Sequence, residues 1–221
     1  MGRELQKQNR TILYSLCEWG TAGVEHWGKS MAQSWRVTDD IFPYWDKIVH
    51  ISKYNSHILN YVDFFGHNDA DMLDIGNGAL TVPECRTHFA LWAAMKSPLL
   101  IGTDLAKLSQ ELVQVVKNRV LLNFNQDPIV GKPATPFLWD YTSPAEYWAG
   151  DYGNGDKLVL MVNYNDTKQV KIVDLSSVPG LEPHKKYRVL DAWNREEECV
   201  GTLNRDVEGH DTAAVVVQGE C

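Results

Sequence analysis

The chain has 221 residues, 44% of them hydrophobic and 23% charged, with eight Trp and nine Tyr; this is a folding composition with room for one large domain or two small ones, unlike the aromatic-poor profile of disorder. Twenty-one basic against 29 acidic residues leave a net charge of −8, and no basic run exceeds pairs such as Lys185 and Lys186, which excludes a binder of the nucleic-acid backbone. The most apolar stretch, 89–102, is broken by Lys96 and Pro98 and falls short of the ~20 residues that a membrane-spanning helix requires.

In chain order, residues 1–10 are polar and charged without an apolar region, so they do not read as a signal peptide. Thr11-Ile12-Leu13-Tyr14-Ser15-Leu16 has the composition of a buried strand, and Ser34-Trp35-Arg36-Val37 that of a shorter one. From Asp40 onward Ile41, Trp45, Ile48, Val49, Ile51, Ile58, Leu59 and Val62 recur near helical spacing, and Met72-Leu73 reads as a third strand. Thr81-Val82-Pro83-Glu84 has the form of a capping box with Pro near the helix start. It predicts a helix through Phe89, Leu91, Trp92 and Met95 that Pro98 ends. Leu99-Leu100-Ile101 is a fourth apolar run, and Ser109 caps a helix over 110–118. Repeated strand–helix units with polar residues at the strand ends argue for parallel α/β packing, here half of an eight-fold barrel.

Past Asn123 the texture changes. Asp127-Pro128, Gly131-Lys132-Pro133 and Thr135-Pro136 make a turn-rich linker. The apolar runs 146–149, 158–164, 170–173, 187–192 and 213–217 then follow at hairpin spacing, with Gly153-Asn154-Gly155-Asp156 the clearest turn. Two domains are expected: a partial (β/α)8 barrel over 1–123 and an autonomous antiparallel β domain over 124–221.

Cys17, Cys85, Cys199 and Cys221 lack the CxxC spacing of a metal site, and Asn9-Arg10-Thr11 and Asn165-Asp166-Thr167 are glycosylation sequons. Together they leave the compartment open. General acid–base work needs carboxylates pointing into a pocket, and the candidate strand ends supply Glu18, Asp39, Asp40, Asp69, Asp71 and Asp74. Asp equally favours helix caps and turns, so composition does not choose among them.

Five motifs do. Cys17-Glu18-Trp19-Gly20, then Ser34-Trp35-Arg36-Val37-Thr38-Asp39-Asp40-Ile41, then Asn68-Asp69-Ala70-Asp71-Met72-Leu73 with Ile75-Gly76-Asn77, then Phe89-Ala90-Leu91-Trp92-Ala93 and the run from Ser97 to Leu105 resemble, in that order, the α-galactosidases of glycoside hydrolase family 27, with the fungal or plant branch the best match. The resemblance implies a (β/α)8 barrel followed by an antiparallel β-sandwich. The activity implied is retaining exo-hydrolysis of terminal α-linked galactose, without metal or cofactor, on galactose-containing oligosaccharides or glycoconjugates. It also implies a secreted location for the intact enzyme and no nucleic-acid or membrane partner.

Residue by residue, the general acid/base of that family falls four positions after Arg36, on Asp40, with Asp39 its rival. Burial beside Trp35, Tyr44 or Trp45 and a neighbouring Asp39 would keep such an acid protonated. Arg36 would hydrogen-bond the sugar or orient a carboxylate. Cys17, Glu18 and Trp19 match the loop after the fifth barrel strand that reads the sugar's 2-position, and Asp71 and Met72 match the wall after the seventh. Glu18 there favours a galactose hydroxyl over a bulky N-acetyl group, which ranks α-N-acetylgalactosaminidase second. A β-L-arabinopyranosidase and a non-catalytic sugar-binding remnant are also compatible with these residues.

The chain departs from the family pattern at two points. Ala70 stands where Pro is usual, and no Lys-Tyr-Asp-Asn-Cys-like nucleophile run occurs. By the resemblance, Met1 is expected to fall within the family's fourth helix, and the chain to carry strands 5–8 and to require the N-terminal half-barrel for a nucleophile and for cover of its inner face. Cys17 is expected to pair with, or pack near, a cysteine of that half, and Cys199 and Cys221 to pair within the β domain.

Overall fold

The computed structural model describes all 221 residues. In its first half, short parallel strands alternate with helices: α1 (Gly2–Gln6), β1 (Ser15–Leu16), α2 (Val24–Trp27), β2 (Ser34–Arg36), α3 (Trp45–Ser56), β3 (His67–Asp69), α4 (Val82–Ala94), α5 (Gln110–Val116) and α6 (Arg119–Asn125). The three strands form one parallel sheet in sequence order, with Ser34 between Ser15 and His67. Alternate side chains of a strand point to opposite faces. Trp35 and Val37 accordingly pack outward with Leu16, Val24 and Ala32, where the Trp35 indole N–H donates to buried Asn68 at 2.8 Å. Ser15, Ser34, His67 and Asp69 take the other face and line a cavity of about 320 Å³.

Several expected boundaries shift, each for a local reason. Only Ser15–Leu16 of the predicted strand 11–16 is extended in the sheet, because this edge pairs on one side alone and nothing packs over Leu13, which is 74% exposed. The third strand is His67–Asp69, not Met72-Leu73. Asp71 at φ 76° turns the chain out of extended geometry, and Leu73 then pairs outside that sheet, through an isolated parallel bridge to Ile101. α3 starts at Trp45, not near Asp40: Pro43 disfavours helical geometry in the residue before it, and Tyr44 is the extended N-cap.

The capping box forms as expected. The Thr81 N–H donates to Glu84 Oε2 at 2.7 Å, the Glu84 N–H to Thr81 Oγ1 at 3.4 Å, and Pro83 opens α4. Ser109 caps α5. The Asn118 side chain then caps α6 by accepting the Val120 and Leu121 N–H groups, so helix continues past Asn123, where linker texture was expected to begin. No helix is long and apolar enough to cross a membrane.

The second half is antiparallel: β4 (Thr135–Pro136), β5 (Tyr147–Asp151), β6 (Lys157–Val162), β7 (Gln169–Asp174), β8 (Tyr187–Asp191), β9 (Glu197–Val200), β10 (Thr202–Val207) and β11 (Thr212–Glu220). A six-stranded sheet, β4-β5-β6-β11-β8-β9, faces a two-stranded sheet, β10-β7. Each of the five expected apolar runs overlaps a strand; β4, β9 and β10 are too short or too polar to stand out. A Cys199–Cys221 disulfide joins β9 to the last residue, leaving Cys17 and Cys85 free.

Period-two alternation builds three layers. Val159, Met161, Val215 and Val217 face the two-stranded sheet in a core of 14 residues. Leu158, Leu160, Val162, Ala214 and Val216 face the helices and share a core of 28 residues with Trp92 and Phe124. One face of the main sheet of the β domain is thus covered by the helices.

Candidate active site

The C-terminal ends of the parallel strands gather the candidate carboxylates. Arg36 ends β2 with its side chain on the inner face, only 10% exposed, and its Nη2 lies 3.1 Å from Asp40 Oδ1 and 2.6 Å from Asp71 Oδ2. One terminal nitrogen of the guanidinium therefore contacts carboxylates from two different loops. A third loop joins at Trp19, whose indole N–H donates to Asp40 Oδ1 at 3.1 Å.

Backbone chemistry explains how the Trp19 loop reaches so far. The Gly20 N–H donates to the Arg36 carbonyl at 3.0 Å, which folds the loop over the end of β2. Trp19 and Gly20 both adopt positive φ, 54° and 72°. A Cβ at Gly20 would meet the Val37 carbonyl at 2.0 Å, so only glycine fits.

Asp71 also sits at positive φ, which Asp tolerates, and every polar group of its backbone and carboxyl is engaged. Its Oδ2 accepts the Ile41 N–H at 2.8 Å, its Oδ1 the Met72 N–H at 2.8 Å, and its own N–H donates to Asp69 Oδ1 at 2.9 Å. The Asp71 carbonyl accepts the Trp92 indole N–H at 2.8 Å. One turn earlier on α4, His88 Nε2 accepts the Asp74 N–H at 3.0 Å, so α4 grips both ends of the 71–74 loop. Burial holds His88 neutral, its pKa pushed down to about 3, and pushes the carboxyls of Asp69 and Asp74 up.

Of the residues singled out from sequence, Arg36, Asp40, Asp71 and Trp19 form one connected network. Cys17, Glu18 and Met72 flank it with side chains that do not hydrogen-bond to it. Cys17 is an exposed free thiol, and the Glu18 carbonyl accepts the Thr21 hydroxyl at 2.7 Å. Met72 is 46% exposed and so is not core. The expected burial of Asp40 is not there: its side chain is 57% exposed, and Trp35 points to the opposite face. Asp40 caps no helix either. Asp39 forms an ion pair with Lys47 at 2.6 Å, a hydrogen bond that holds its carboxyl below the usual range. Ala70 makes use of being other than Pro, its N–H donating to Ser97 Oγ at 2.9 Å.

Sequence reasoning missed Lys47, His88 and Trp92. The i,i+4 spacing of His88 and Trp92 on α4 is the sequence signal that points to them. No group of three His, Cys, Asp or Glu side chains is arranged to hold a metal ion.

Known proteins share this family and fold. Residues 1–127 match the family model described as alpha galactosidase A, and residues 142–217 match that of the alpha galactosidase C-terminal beta sandwich domain. A probable alpha-galactosidase B of Aspergillus oryzae is 47% identical over 96% of this chain and 52% of its own length, and one of Talaromyces emersonii is 46% identical over 97% and 52%. The chain spans about half the length of the curated relatives it matches. Among solved structures, alpha-galactosidase I of Mortierella vinacea superposes over 99% of this chain and 61% of its own, with a TM-score of 0.91 at 23% identity. The alpha-galactosidase of Saccharomyces cerevisiae with raffinose superposes with a TM-score of 0.84 at 22% identity, over 100% of this chain and 67% of its own. The parallel half-sheet with its helices and the antiparallel sandwich are the barrel and C-terminal layers of that fold, and the chain belongs to the alpha-galactosidase (melibiase) family.

Proposed function

We propose that this chain supplies the acid/base and sugar-reading half of a retaining exo-acting α-galactosidase. The observation that carries the proposal is the Arg36 guanidinium spanning Asp40 and Asp71 at the end of β2. In the first step the Asp40 carboxyl gives its proton to the glycosidic oxygen while a carboxylate nucleophile attacks the anomeric carbon. The alcohol leaves and a glycosyl–enzyme ester forms. In the second step Asp40, now a carboxylate, takes a proton from the water that attacks the same carbon, which frees galactose and restores the nucleophile. Asp39 is engaged by Lys47, outside the network that Asp40 shares with Arg36 and Trp19. Glu18, Trp19, Asp71, Met72 and Cys17 border the sugar, with Glu18 favouring a 2-hydroxyl.

The nucleophile comes from outside these 221 residues, since no Lys-Tyr-Asp-Asn-Cys-like run is among them. The same complementary half-barrel covers the inner face of residues 1–123, while 124–221 form the sandwich. The Cys199–Cys221 disulfide supports an extracellular location.

The test is to assay the 221-residue chain on an aryl α-galactoside alone and mixed with a half-barrel polypeptide carrying the nucleophile run. No turnover alone and turnover in the mixture is expected. Turnover by the chain alone overturns the division of labour and directs the search for a nucleophile to Asp69, Asp71 and Asp74. Galactose binding without turnover in the mixture favours the non-catalytic reading. Faster cleavage of an α-N-acetylgalactosaminide or a β-L-arabinopyranoside replaces the substrate.

A further inference from the structure

Away from the strand ends, a cavity of about 490 Å³ opens at the seam between the helical half and the sandwich. Arg86 on α4, Lys117 in the turn after α5, Arg119 at the first residue of α6, and Arg195 in the β8–β9 hairpin all line it. Glu111 is the one carboxylate among the lining residues. In a chain of net charge −8, four of the 21 Lys and Arg thus converge on one concave surface.

Their pairing is as uneven as their distribution. Arg86 forms the floor, its guanidinium 4.5 Å from the Trp193 ring centroid and its Nε 3.2 Å from Asp211 Oδ1. That Nε is buried without a well-aligned hydrogen bond. Lys117, Arg119 and Arg195 are exposed and enter no ion pair with any carboxylate of the chain. The nearby acidic run Glu196-Glu197-Glu198 lines a separate cavity with Arg205. Asn118 Nδ2 donates to the Ala192 carbonyl at 2.9 Å across the seam, so the two walls are fixed relative to each other.

We propose that this seam cavity binds a phosphate- or sulfate-bearing small molecule of about monosaccharide size. Unpaired cations in a concave wall focus positive potential on its mouth, and Arg forks match the oxygen geometry of phosphate and sulfate better than that of a monovalent ion. The cavity lies in the volume range of small-molecule sites, ~300–1,000 Å³, and at a junction of structural units, where such sites concentrate. It exceeds what a free phosphate ion fills, which favours an ester over the inorganic ion. Because the lining comes from both halves, occupancy also holds the helices against the sandwich.

The experiment is thermal unfolding and titration calorimetry of the full chain at constant ionic strength, with glucose 6-phosphate, inorganic phosphate, inorganic sulfate, glucose and sodium chloride as probes. Glucose 6-phosphate is expected to raise the melting temperature more than phosphate or sulfate does, with glucose and chloride without effect, since a ligand that binds only the native state stabilises it. The double variant Arg119→Ala/Arg195→Ala removes two exposed side chains that hold nothing in the fold, so it should keep its circular dichroism. It should weaken glucose 6-phosphate by about tenfold or more, the loss expected for charge-assisted hydrogen bonds. A response equal to that of chloride, or one unchanged in the double variant, overturns the site. An equal response to inorganic phosphate and to the ester overturns the size assignment and makes the free ion the ligand.

Discussion

Asp39 and Asp40 are adjacent in the chain but face different cations, Lys47 at 2.6 Å and Arg36 at 3.1 Å, and only Asp40 thereby joins the network with Asp71 and Trp19. A general acid is needed most when the leaving group is poor. In an enzyme that joins this segment to its complementary half, Asp40→Asn should therefore abolish hydrolysis of natural galactosides. Aryl galactosides with good leaving groups should still form the glycosyl–enzyme, seen as a burst of phenol followed by slow turnover, because the second step lacks its base. Asp39→Asn should be milder and independent of the leaving group. The opposite pattern in pre-steady-state kinetics would move the acid to Asp39. At this scale the four-residue step from Arg36 to Asp40 was legible, since it lies within one motif. The Trp19–Asp40 and Trp92–Asp71 hydrogen bonds each cross 21 residues and depend on loop paths that no local pattern encodes.

Elements set those loop paths, and α4 does most of the setting. Trp92 and His88, ring centroids 4.1 Å apart, hold the Asp71 carbonyl and the Asp74 N–H. Trp92→Phe keeps an aromatic ring but leaves that carbonyl without its partner, and should cost roughly 1–3 kcal/mol in urea unfolding of the full chain. His88 makes a pH prediction whose sign is fixed by its environment. Its folded pKa, about 3, lies below the ordinary 6.5, so between those values the unfolded chain binds the proton and the folded chain does not. Stability contributed by neutral His88 is therefore present above pH ~6.5 and is lost toward pH 3, by about 1.4 kcal/mol per pH unit at most. Subtracting the profile of His88→Asn isolates this slope from Asp69 and Asp74, whose raised carboxyls act in the opposite direction. An identical profile in the variant would remove His88 as the cause. The capping box that starts α4 was readable because its signal is local. The strand before it was misplaced, because a positive φ at Asp71 is invisible to hydrophobic periodicity.

At the scale of the whole molecule, the sequence also held a signal of how its two parts pack together. Leu158-Val159-Leu160-Met161-Val162 is a continuous apolar run, buried throughout in β6, and such a run marks a strand covered on both faces, not a sheet with one face in water. The two-stranded sheet β10-β7 covers one face, so the other cover had to come from the helices, as Trp92 and Phe124 provide. Cut away at residue 124, the sandwich would expose Trp148, Leu158, Leu160, Val162, Ala214 and Val216 as one apolar surface. A patch of that kind drives association. The fragment 124–221 should accordingly self-associate in sedimentation and bind a hydrophobic dye that the full chain does not. Within the full chain, Leu160→Ala should cost about 2–5 kcal/mol and lower the unfolding of both halves in a single transition, because the core it opens is common to both. If the fragment instead remains monomeric, excludes the dye and melts at the temperature of the full chain, the helical cover is dispensable and the sandwich is a domain in its own right.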